Sequence, residues 1–336
     1  MTNSDNLSGA APGASNAAAS NAASSDADSS SATSAGADSG AARPDGVVIG
    51  LDIGGTKTRG VRFEHGEPVA DESVGSANVQ NVSRAEAAAH LAELFAKIGS
   101  GPVAQVYAGA GGIDTEEDAA ALAALIKPHA PGARITVVHD SRLLLAAGGA
   151  STGVAVIAGT GSAAWGTNGG GEARAGGWGY LLGDEGSGYW LGREAVRHSL
   201  RRMNQGQEPD ELTRALLDSC NTDDPNKLIA LFHSPETGRR FWAQQARLVV
   251  EAADSGHSVS RGLIDQAGKD LADMAAQVLR QLELDGPVIL GSGLGMNVVR
   301  LQESFRKYLA AAGVSDVRIL EQDPVFGVPL LVREQA

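Results

Sequence analysis

Val47-Val48-Ile49-Gly50-Leu51-Asp52-Ile53-Gly54-Gly55-Thr56-Lys57-Thr58 is the stretch that decides the fold. It passes from apolar, mostly β-branched residues into glycines and threonines, which predicts a buried strand ending in a tight turn. Glycine permits backbone conformations that aim N–H groups at an anion, and the hydroxyls of Thr56 and Thr58 add donors. The turn lacks both the Walker spacing and a Gly-x-Gly-x-x-Gly, so it is neither a P-loop nor a dinucleotide fingerprint.

The same pattern, an apolar strand followed by a glycine turn, occurs twice more along the chain. Gly153 to Ala158 is apolar and leads into Gly159-Thr160-Gly161-Ser162, and Val288-Ile289-Leu290 leads into Gly291-Ser292-Gly293. Repetition of strand plus glycine turn predicts two related domains that face each other. The first two turns are predicted to clamp a polyphosphate, with contacts from Gly54, Gly55, Thr56 and Lys57 on one side and residues 159–162 on the other. The third suits close approach of the backbone to an adenine or ribose.

The segments between the first two turns alternate between strand and helix patterns. Predicted strands cover Val61–Phe63, Pro68–Val74, Val103–Tyr107 and Ile135–Val138, and predicted helices cover Arg84–Ile98 and Thr115–Pro128. This order is that of each half of the actin-like ATPases. We therefore predict an α/β fold with two actin-like, ribonuclease H-like domains, 46–149 and 150–321, and a ligand cleft between them. The closing stretch 322–336 is a candidate to complete the first domain.

Bulk properties exclude several function classes. Residues 1–45 are almost all Ala, Ser, Gly, Asn, Asp and Thr, which predicts a disordered tail because little apolar surface is available to bury. The start lacks the pattern of a secretory signal, and no apolar run reaches the ~20 residues of a membrane span, so we expect a cytoplasmic protein. A net charge of −13 disfavours nucleic acids and anionic membranes. Small molecules are the expected partners.

Two acidic side chains are predicted to carry the chemistry. Asp140 follows the strand Ile135–Val138, where its carboxylate would face the cleft and take the proton of an attacking hydroxyl. The alternative for Asp140 is the N-cap of a helix that starts near Arg142. His139 is interpreted as a packing or capping neighbour. Asp52, at the end of the first strand, is predicted to hold Mg²⁺ through water.

The densest motif is Gly176-Gly177-Trp178-Gly179-Tyr180-Leu181-Leu182-Gly183-Asp184-Glu185-Gly186-Ser187. So much glycine beside acids and aromatics predicts a loop that lines a ligand. Asp184 has the oxygens to accept two sugar hydroxyls or an amide N–H. Glu185 is interpreted as the cap of a helix that begins near Ser187. Trp178 is either a platform for a sugar ring or a buried anchor.

These motifs together resemble the N-acetylglucosamine kinases of the BadF/BadG/BcrA/BcrD-type ATPase family, over residues 46–336. The resemblance implies the ASKHA sugar-kinase fold with an ATP and sugar cleft, and ATP-dependent phosphorylation of an amino sugar with Mg²⁺. Thr56 and Thr160 then match phosphate contacts, Ala243 an adenine contact, and Asp140 the base on the sugar's 6-hydroxyl. The implied sugar contacts are Asn78, Asp140, Gly177, Trp178, Gly179 and Asp184. A homodimer is common for proteins with this resemblance.

The sequence disfavours two related protein classes and leaves the acceptor sugar and a non-catalytic role open. The redox activators of this family hold an iron-sulfur cluster with cysteines, and a chain whose one cysteine is Cys220 lacks the ligands. The sugar kinases of the repressor/ORF/kinase group carry a cysteine zinc motif that is absent here. The acceptor stays open among N-acetylglucosamine, glucosamine and N-acetylmuramic acid. A sensor that binds ATP and sugar without catalysis is the remaining hypothesis in which the protein is not an enzyme.

Overall fold

The first sheet is built around the strand that leads into the first glycine turn. The computed structural model describes residues 46–99, 101–113 and 115–334, so the predicted tail lies outside the described residues. Five strands form the sheet in the order β3-β2-β1-β4-β5: β1 Val47–Ile53, β2 Lys57–Glu64, β3 Glu67–Gly75, β4 Gln105–Ala110 and β5 Arg134–His139. The first three strands are antiparallel neighbours, whereas β4 and β5 run parallel to β1.

Three helices accompany this sheet, and each begins at a side-chain cap. They are α1 Arg84–Lys97, α2 Glu116–Ile126 and α3 Asp140–Ala147, capped by Ser83, Thr115 and His139 respectively. A cap supplies an acceptor for a backbone N–H that has no partner within the first turn. The helix predicted to end at Pro128 ends at Ile126, and a short 3₁₀ turn, Lys127–His129, follows it.

The second sheet repeats the first in topology. Its order is β10-β9-β6-β7-β8, from β6 Gly153–Ala158, β7 Ser162–Thr167, β8 Glu172–Gly176, β9 Val288–Gly291 and β10 Val317–Ile319. Again the first strand is central, an antiparallel hairpin pair lies on one side and two parallel strands lie on the other. The α/β class and the repeat predicted from the two glycine turns are confirmed by this correspondence.

Helices fill the long interval between β8 and β9 and the remainder of the chain. They are α4 Gly188–Asn204, α5 Glu211–Ser219, α6 Lys227–His233, α7 Arg239–Gln244, α8 Ala246–Asp254, α9 Ser258–Leu282, α10 Ser292–Asn297, α11 Val299–Ala311 and α12 Val328–Arg333. Most of the second core lies between these helices and the second sheet, around fully buried residues such as Trp242 and Phe305. Within the described residues, no helix has the length and apolar character that crossing a bilayer requires.

The end of the chain packs on the first sheet. Val325, Val328 and Leu331 form a core cluster with Val48 and Phe63 of β1 and β2. The approach is close, because a Cβ at Gly50 would lie 2.9 Å from Val328 Cγ2. This contact carries Asp323, the residue just before the final 3₁₀ turn Pro324–Gly327, towards the end of β1.

Candidate functional site

The turn between β1 and β2 exposes the groups predicted to contact phosphate. The N–H of Gly54 donates to Lys57 O (3.0 Å), and the side chains of Thr56 and Lys57 are exposed. Thr58 differs from the expectation: it is fully buried, and its Oγ1 accepts a hydrogen bond from Ala77 N (2.8 Å). The hydroxyl of Thr58 therefore ties β2 to the segment after β3, and Thr56 is the threonine available to a ligand.

A group of charges lies where β1 ends. Burial, together with the negative charges of Asp140 and Asp323, raises the pKa of Asp52 from 3.8 to about 7, while Lys57 and Arg59 act in the opposite direction. Arg59 donates to Asp71 (2.8 Å, Nε to Oδ1) and to Asp323, and Lys57 Nζ lies 3.7 Å from Asp323 Oδ2. Asp323 is absent from the sequence predictions, because an Asp-Pro pair far along the chain carries no motif.

Asp140 opens α3 directly after β5. The helix is capped by His139, whose Nδ1 accepts from Ser141 N (3.4 Å), so the alternative that Asp140 is the N-cap is wrong. Asp140 Oδ1 is buried and has no hydrogen-bond partner, although His139 Nδ1 lies 3.0 Å away. Burial raises the pKa of Asp140, and the neighbouring His139 acts to lower it. An unsatisfied buried carboxylate oxygen is costly, which points to a ligand or proton at this position.

Gly111 brings Asp140 and Asn78 to the same place. A Cβ at Gly111 would lie 3.1 Å from Asp140 Oδ2, so glycine leaves room beside the carboxylate. Asn78 Nδ2 donates to Gly111 O (3.0 Å), and its Oδ1 accepts from Gln80 N (2.9 Å). Both ends of the Asn78 amide are thus engaged with the backbone. The role of Asn78 as a sugar contact stays a prediction, and these internal partners were not expected from the sequence.

The turn between β6 and β7 rests on the start of α4. Gly188 N donates to Gly159 O (2.8 Å) and Tyr189 N donates to Thr160 O (3.2 Å), while Gly159 N donates to Gly161 O (3.0 Å). Ser162 is buried, and its Oγ donates to Glu185 O (2.6 Å). Thr160 is exposed, so its hydroxyl is available to a phosphate.

The third glycine segment lies against this second turn. Gly291 ends β9 and Ser292 begins α10, so the segment is a strand-to-helix junction rather than a separate turn. A Cβ at Gly159 would lie 2.5 Å from Ser292 Oγ, and a Cβ at Gly188 would lie 3.0 Å from Ala243 O. The structure therefore brings together three segments predicted to bind nucleotide, 159–162, 291–293 and Ala243, with glycine keeping the space between them.

The glycine-rich loop after β8 differs from expectation at two residues. Ser187, not Glu185, caps α4, since its Oγ accepts from Trp190 N (3.1 Å). Trp178 is 60% exposed, and the Arg174 guanidinium lies 4.5 Å from its ring centroid, so the buried-anchor reading is wrong. Leu181 and Leu182 of the same loop are also exposed.

Asp184 is held by partners inside the protein. It is 2% exposed, with Oδ1 accepting from Ser162 N (3.3 Å) and Oδ2 accepting from Arg239 Nη2 (2.7 Å). Its backbone φ of 62° lies in the left-handed region. A Cβ at Gly161 would meet the Arg239 guanidinium and lie 2.9 Å from Asp184 Oδ2. Arg239 was not found from the sequence, because it lies 55 residues from its partner and outside any motif.

A cavity of about 110 Å³ lies between residues of the first and second halves of the chain. Gly112, His139 and Ser141 line it from the first half of the chain. Ile157, Ala163, Trp165, Arg174 and Gly177 line it from the second half. The neighbours of Asp140 and the start of the Gly-Trp-Gly motif therefore face each other across one cavity.

Comparison with known proteins finds matches over most of the chain. The model of the BadF/BadG/BcrA/BcrD ATPase family matches residues 49–327. An N-acetylmuramic acid/N-acetylglucosamine kinase of Clostridium acetobutylicum is 28% identical over 303 residues, covering 86% of this chain and 98% of that protein. An N-acetyl-D-glucosamine kinase of Dictyostelium discoideum is 30% identical over 258 residues, covering 71% and 81% respectively.

Solved structures agree with the sequence relatives. A Chromobacterium violaceum protein provisionally named N-acetylglucosamine kinase superposes with a TM-score of 0.68 at 28% identity, over 86% of this chain and 99% of its own. The predicted fold of the actin-like kinase class is confirmed by this likeness.

Proposed function

The chain belongs to the BadF/BadG/BcrA/BcrD ATPase family, and on that premise we propose that it is an ATP-dependent kinase that converts N-acetylglucosamine to N-acetylglucosamine 6-phosphate. The names of its relatives support the amino-sugar acceptor. The geometry supports the phosphoryl transfer, and one observation carries it: the buried, unpartnered Oδ1 of Asp140 beside the cavity between the two sheets.

Asp140 is proposed as the general base. The 6-hydroxyl oxygen of the sugar attacks the γ-phosphorus of ATP, the bond to the β–γ bridging oxygen breaks, and ADP leaves. The hydroxyl proton passes to Asp140, whose raised pKa makes it a better proton acceptor than an ordinary carboxylate. Gly111 supports this role, because the space its missing Cβ leaves is next to Asp140 Oδ2.

ATP is proposed to lie between the two glycine turns. On the first turn the exposed residues Gly55, Thr56 and Lys57 offer backbone N–H groups, a hydroxyl and a charge that suit phosphate, while Gly54 N closes the turn by donating to Lys57 O. On the second turn, residues 159–162, the exposed Thr160 hydroxyl is the group proposed to contact phosphate, because Gly159 N, Ser162 N and Ser162 Oγ donate to partners inside the protein. The N-terminus of α4 lies behind this turn. Gly291, Ser292, Gly293 and Ala243 adjoin the second turn, which supports their assignment to the adenosine.

The donor set at the end of β1 fits Mg²⁺. Burial, and after it the negative charges of Asp140 and Asp323, raise the pKa of Asp52 to about 7, whereas Lys57 and Arg59 act to lower it. The Asp52 carboxyl therefore favours a proton or a cation beside it. Carboxylate oxygens are the ligands Mg²⁺ prefers, with water completing its shell. We propose that Asp52 would hold the ion through water, where its charge would neutralise the phosphates.

The sugar is proposed to lie at the cavity, near Asn78, Gly177, Trp178, Gly179 and Asp184. The exposed Trp178 ring is available for stacking on a sugar face. Asp184 must exchange its hydrogen bond with Arg239 for the sugar hydroxyls, and Asn78 must exchange a backbone partner. The cavity is smaller than the ~300 Å³ of common ligand pockets, so sugar entry is proposed to require the two sheets to move apart.

The decisive experiment is a coupled ADP-release assay across a panel of acceptors. N-acetylglucosamine, N-acetylmuramic acid, glucosamine and glucose are compared at equal concentration with ATP and Mg²⁺. We expect the highest kcat/KM with N-acetylglucosamine. A higher value with N-acetylmuramic acid or glucosamine would select that alternative acceptor, since one missing contact changes preference by only ~1–3 kcal/mol. A flat response across the panel, with ATP still bound, would replace the kinase by a sugar sensor.

Three further features complete the proposal. The domains are proposed to span 46–149 and 150–321, with 322–336 added to the first, which the packing of α12 on β1 and β2 supports. A homodimer is proposed, to be measured by light scattering. The cytoplasm is the proposed location.

A further inference from the structure

A second group of polar side chains converges among the helices of the second half of the chain. His198 lies in α4, Asp210 is the N-cap of α5 and His257 is the N-cap of α9. One ligand atom from each lies within 4.8 Å of the other two. Among the described residues, this is the one such meeting of three histidine, cysteine or acidic side chains. None of the three belongs to the proposed kinase site.

Both imidazole rings point the same nitrogen at one carboxylate oxygen. His198 Nε2 lies 2.6 Å and His257 Nε2 lies 3.1 Å from Asp210 Oδ2. The other oxygen, Oδ1, accepts from Thr213 N (2.9 Å) and so caps α5. His198 is buried, and the other two are half-buried. The cluster therefore lies in a partly desolvated place where an electrostatic interaction is stronger than at the surface.

We propose that His198, Asp210 and His257 form a binding site for Zn²⁺. Two imidazole nitrogens and one carboxylate oxygen are a ligand set that Zn²⁺ uses, whereas Mg²⁺ and Ca²⁺ prefer oxygens alone. Zinc bonds of about 2.0–2.1 Å in a tetrahedron separate ligand atoms by roughly 3.4 Å. The two histidine-to-aspartate separations, 2.6 and 3.1 Å, reach that value with sub-ångström movements of the side chains, and the ligand atoms of the two histidines lie within 4.8 Å of each other.

The proton positions are compatible with the metal. Each ring must present an unprotonated Nε2, so each must carry its proton on Nδ1. His257 Nδ1 lies 2.8 Å from Ser260 Oγ, which can accept that proton's hydrogen bond and orient the ring. Without metal, the same Nδ1 accepts from Ser260 N (3.3 Å). Metal binding thus replaces the hydrogen bond from Ser260 N to His257 Nδ1 by one from Nδ1 to Ser260 Oγ.

Of the charged groups near the cluster, the Asp210 carboxylate favours metal binding and the Arg202 guanidinium opposes it. Asp210 Oδ1 accepts from Thr213 N, whereas Oδ2 faces both imidazole rings, so Oδ2 is the oxygen placed for the metal. Arg202 Nε lies 3.5 Å from Asp210 Oδ2 and opposes a cation. Its guanidinium also donates to Glu208 O (3.1 and 2.6 Å), which gives it a second partner when the metal binds.

The consequence is a cross-link between three helices. Asp210 is 12 residues from His198 and 47 from His257, so a bound ion ties together parts of the chain that are distant in sequence. The start of α4 supports the turn at Gly159 through the hydrogen bond from Gly188. A metal that binds the folded chain and not the unfolded chain raises the free energy of unfolding. Its binding can therefore be measured without any kinase assay.

Three variants of the full-length chain test the site. Asp210→Asn removes the charge and keeps an N-cap acceptor for α5, and His257→Asn keeps a capping side chain for α9. His233→Asn, in α6 and exposed, is the matched control that removes a histidine elsewhere. Each protein is stripped with a chelator, and Zn²⁺ is added and measured by mass spectrometry after gel filtration. Co²⁺ replaces Zn²⁺ in parallel for absorption spectra, and thermal unfolding is recorded.

We expect one Zn²⁺ per wild-type and His233→Asn chain, a tetrahedral Co²⁺ spectrum, and a rise in Tm of at least ~3 °C. Asp210→Asn and His257→Asn should each lose more than about tenfold in metal affinity. A wild-type chain that binds no Zn²⁺ overturns the proposal, as does wild-type affinity in both site variants. Circular dichroism reports folding, and if one site variant is unfolded, the wild-type chain and the other variant decide.

Discussion

Replacing Asp52 by asparagine removes a carboxyl that lies half-buried at the end of β1, close to Asp140 and Asp323. The pKa of this carboxyl is 3.8 as an isolated group and about 7 in the folded protein. Between these values the folded state binds the proton more tightly than the unfolded chain does. The free energy of unfolding of the wild-type protein therefore falls as the pH rises from about 4 to about 7, and the loss is complete above that range.

The shift sets the size of the effect. Relative to its value at low pH, where the carboxyl is protonated in both states, the free energy of unfolding is lower by about 4 kcal/mol at pH 8 and by about 1.7 kcal/mol at pH 5. Asparagine has no proton to lose, so the variant escapes this cost. We expect the stability advantage of Asp52→Asn over wild type to grow by about 2–3 kcal/mol from pH 5 to pH 8. Turnover should fall in the same variant, because the proposed Mg²⁺ contact is lost.

Urea unfolding at pH 5, 6, 7 and 8 without nucleotide measures the effect, with tryptophan fluorescence as the signal. Asp71→Asn is the matched control: Asp71 is exposed, and its hydrogen bond with Arg59 lowers its pKa, so its removal should cost stability at neutral pH. Mg²⁺ with a non-hydrolysable ATP analogue should stabilise wild type more than Asp52→Asn at pH 8. A stability difference between wild type and Asp52→Asn that stays constant from pH 5 to pH 8 refutes the reasoning.

Substitutions at Asp140 and Gly159 test the proposed site, and a truncation tests the N-terminal segment. Asp140→Asn should lower turnover more than ~100-fold in the coupled assay while calorimetry finds ATP affinity nearly intact; wild-type turnover would show that the base is another group. Gly159→Ala should weaken ATP binding, because its Cβ would lie 2.5 Å from Ser292 Oγ. Adding Ser292→Gly should restore ATP affinity, because it removes the hydroxyl that the new Cβ would meet, and the φ of 71° at residue 292 suits glycine. If the double variant binds ATP as weakly as Gly159→Ala alone, contact with Ser292 is not the cause of the loss. Deleting residues 1–44 should leave turnover and Tm unchanged, and a large loss of either would assign the tail a structural role.

Much of the local structure was predictable because it depends on nearby residues. The strand Val47–Ile53 and the strand Gly153–Ala158 have the bounds predicted from their β-branched runs. The hairpin at His65 and Gly66 follows from residues that adopt positive φ, 53° and 83°. Caps at Ser83 and Thr115 also depend on residues two or three positions away. These are short-range requirements of the backbone, and a pattern in the sequence expresses them directly.

The partners of individual polar side chains were not predictable in this way. Thr58 was expected to face a ligand, yet it is buried against Ala77. Asp184 was expected to be open to sugar, yet it is bonded to Arg239, and Arg59 is bonded to Asp323, 264 residues away. Hydrogen bonds and ion pairs across such separations depend on how the helices and sheets pack, which no local pattern records.

The sequence by itself determined that this chain carries two strand-and-glycine-turn units, an aspartate after the fifth strand and a glycine-rich loop that match one ATPase family. It could do so because glycine, β-branched runs and motif spacing act over a few residues. Only the tertiary structure decided that Asp52, Asp140 and Asp323 share one electrostatic environment and that Asp184 is paired with Arg239. It also brought His198, Asp210 and His257 together from three helices. Charge interactions extend through space rather than along the chain, so the packing sets them.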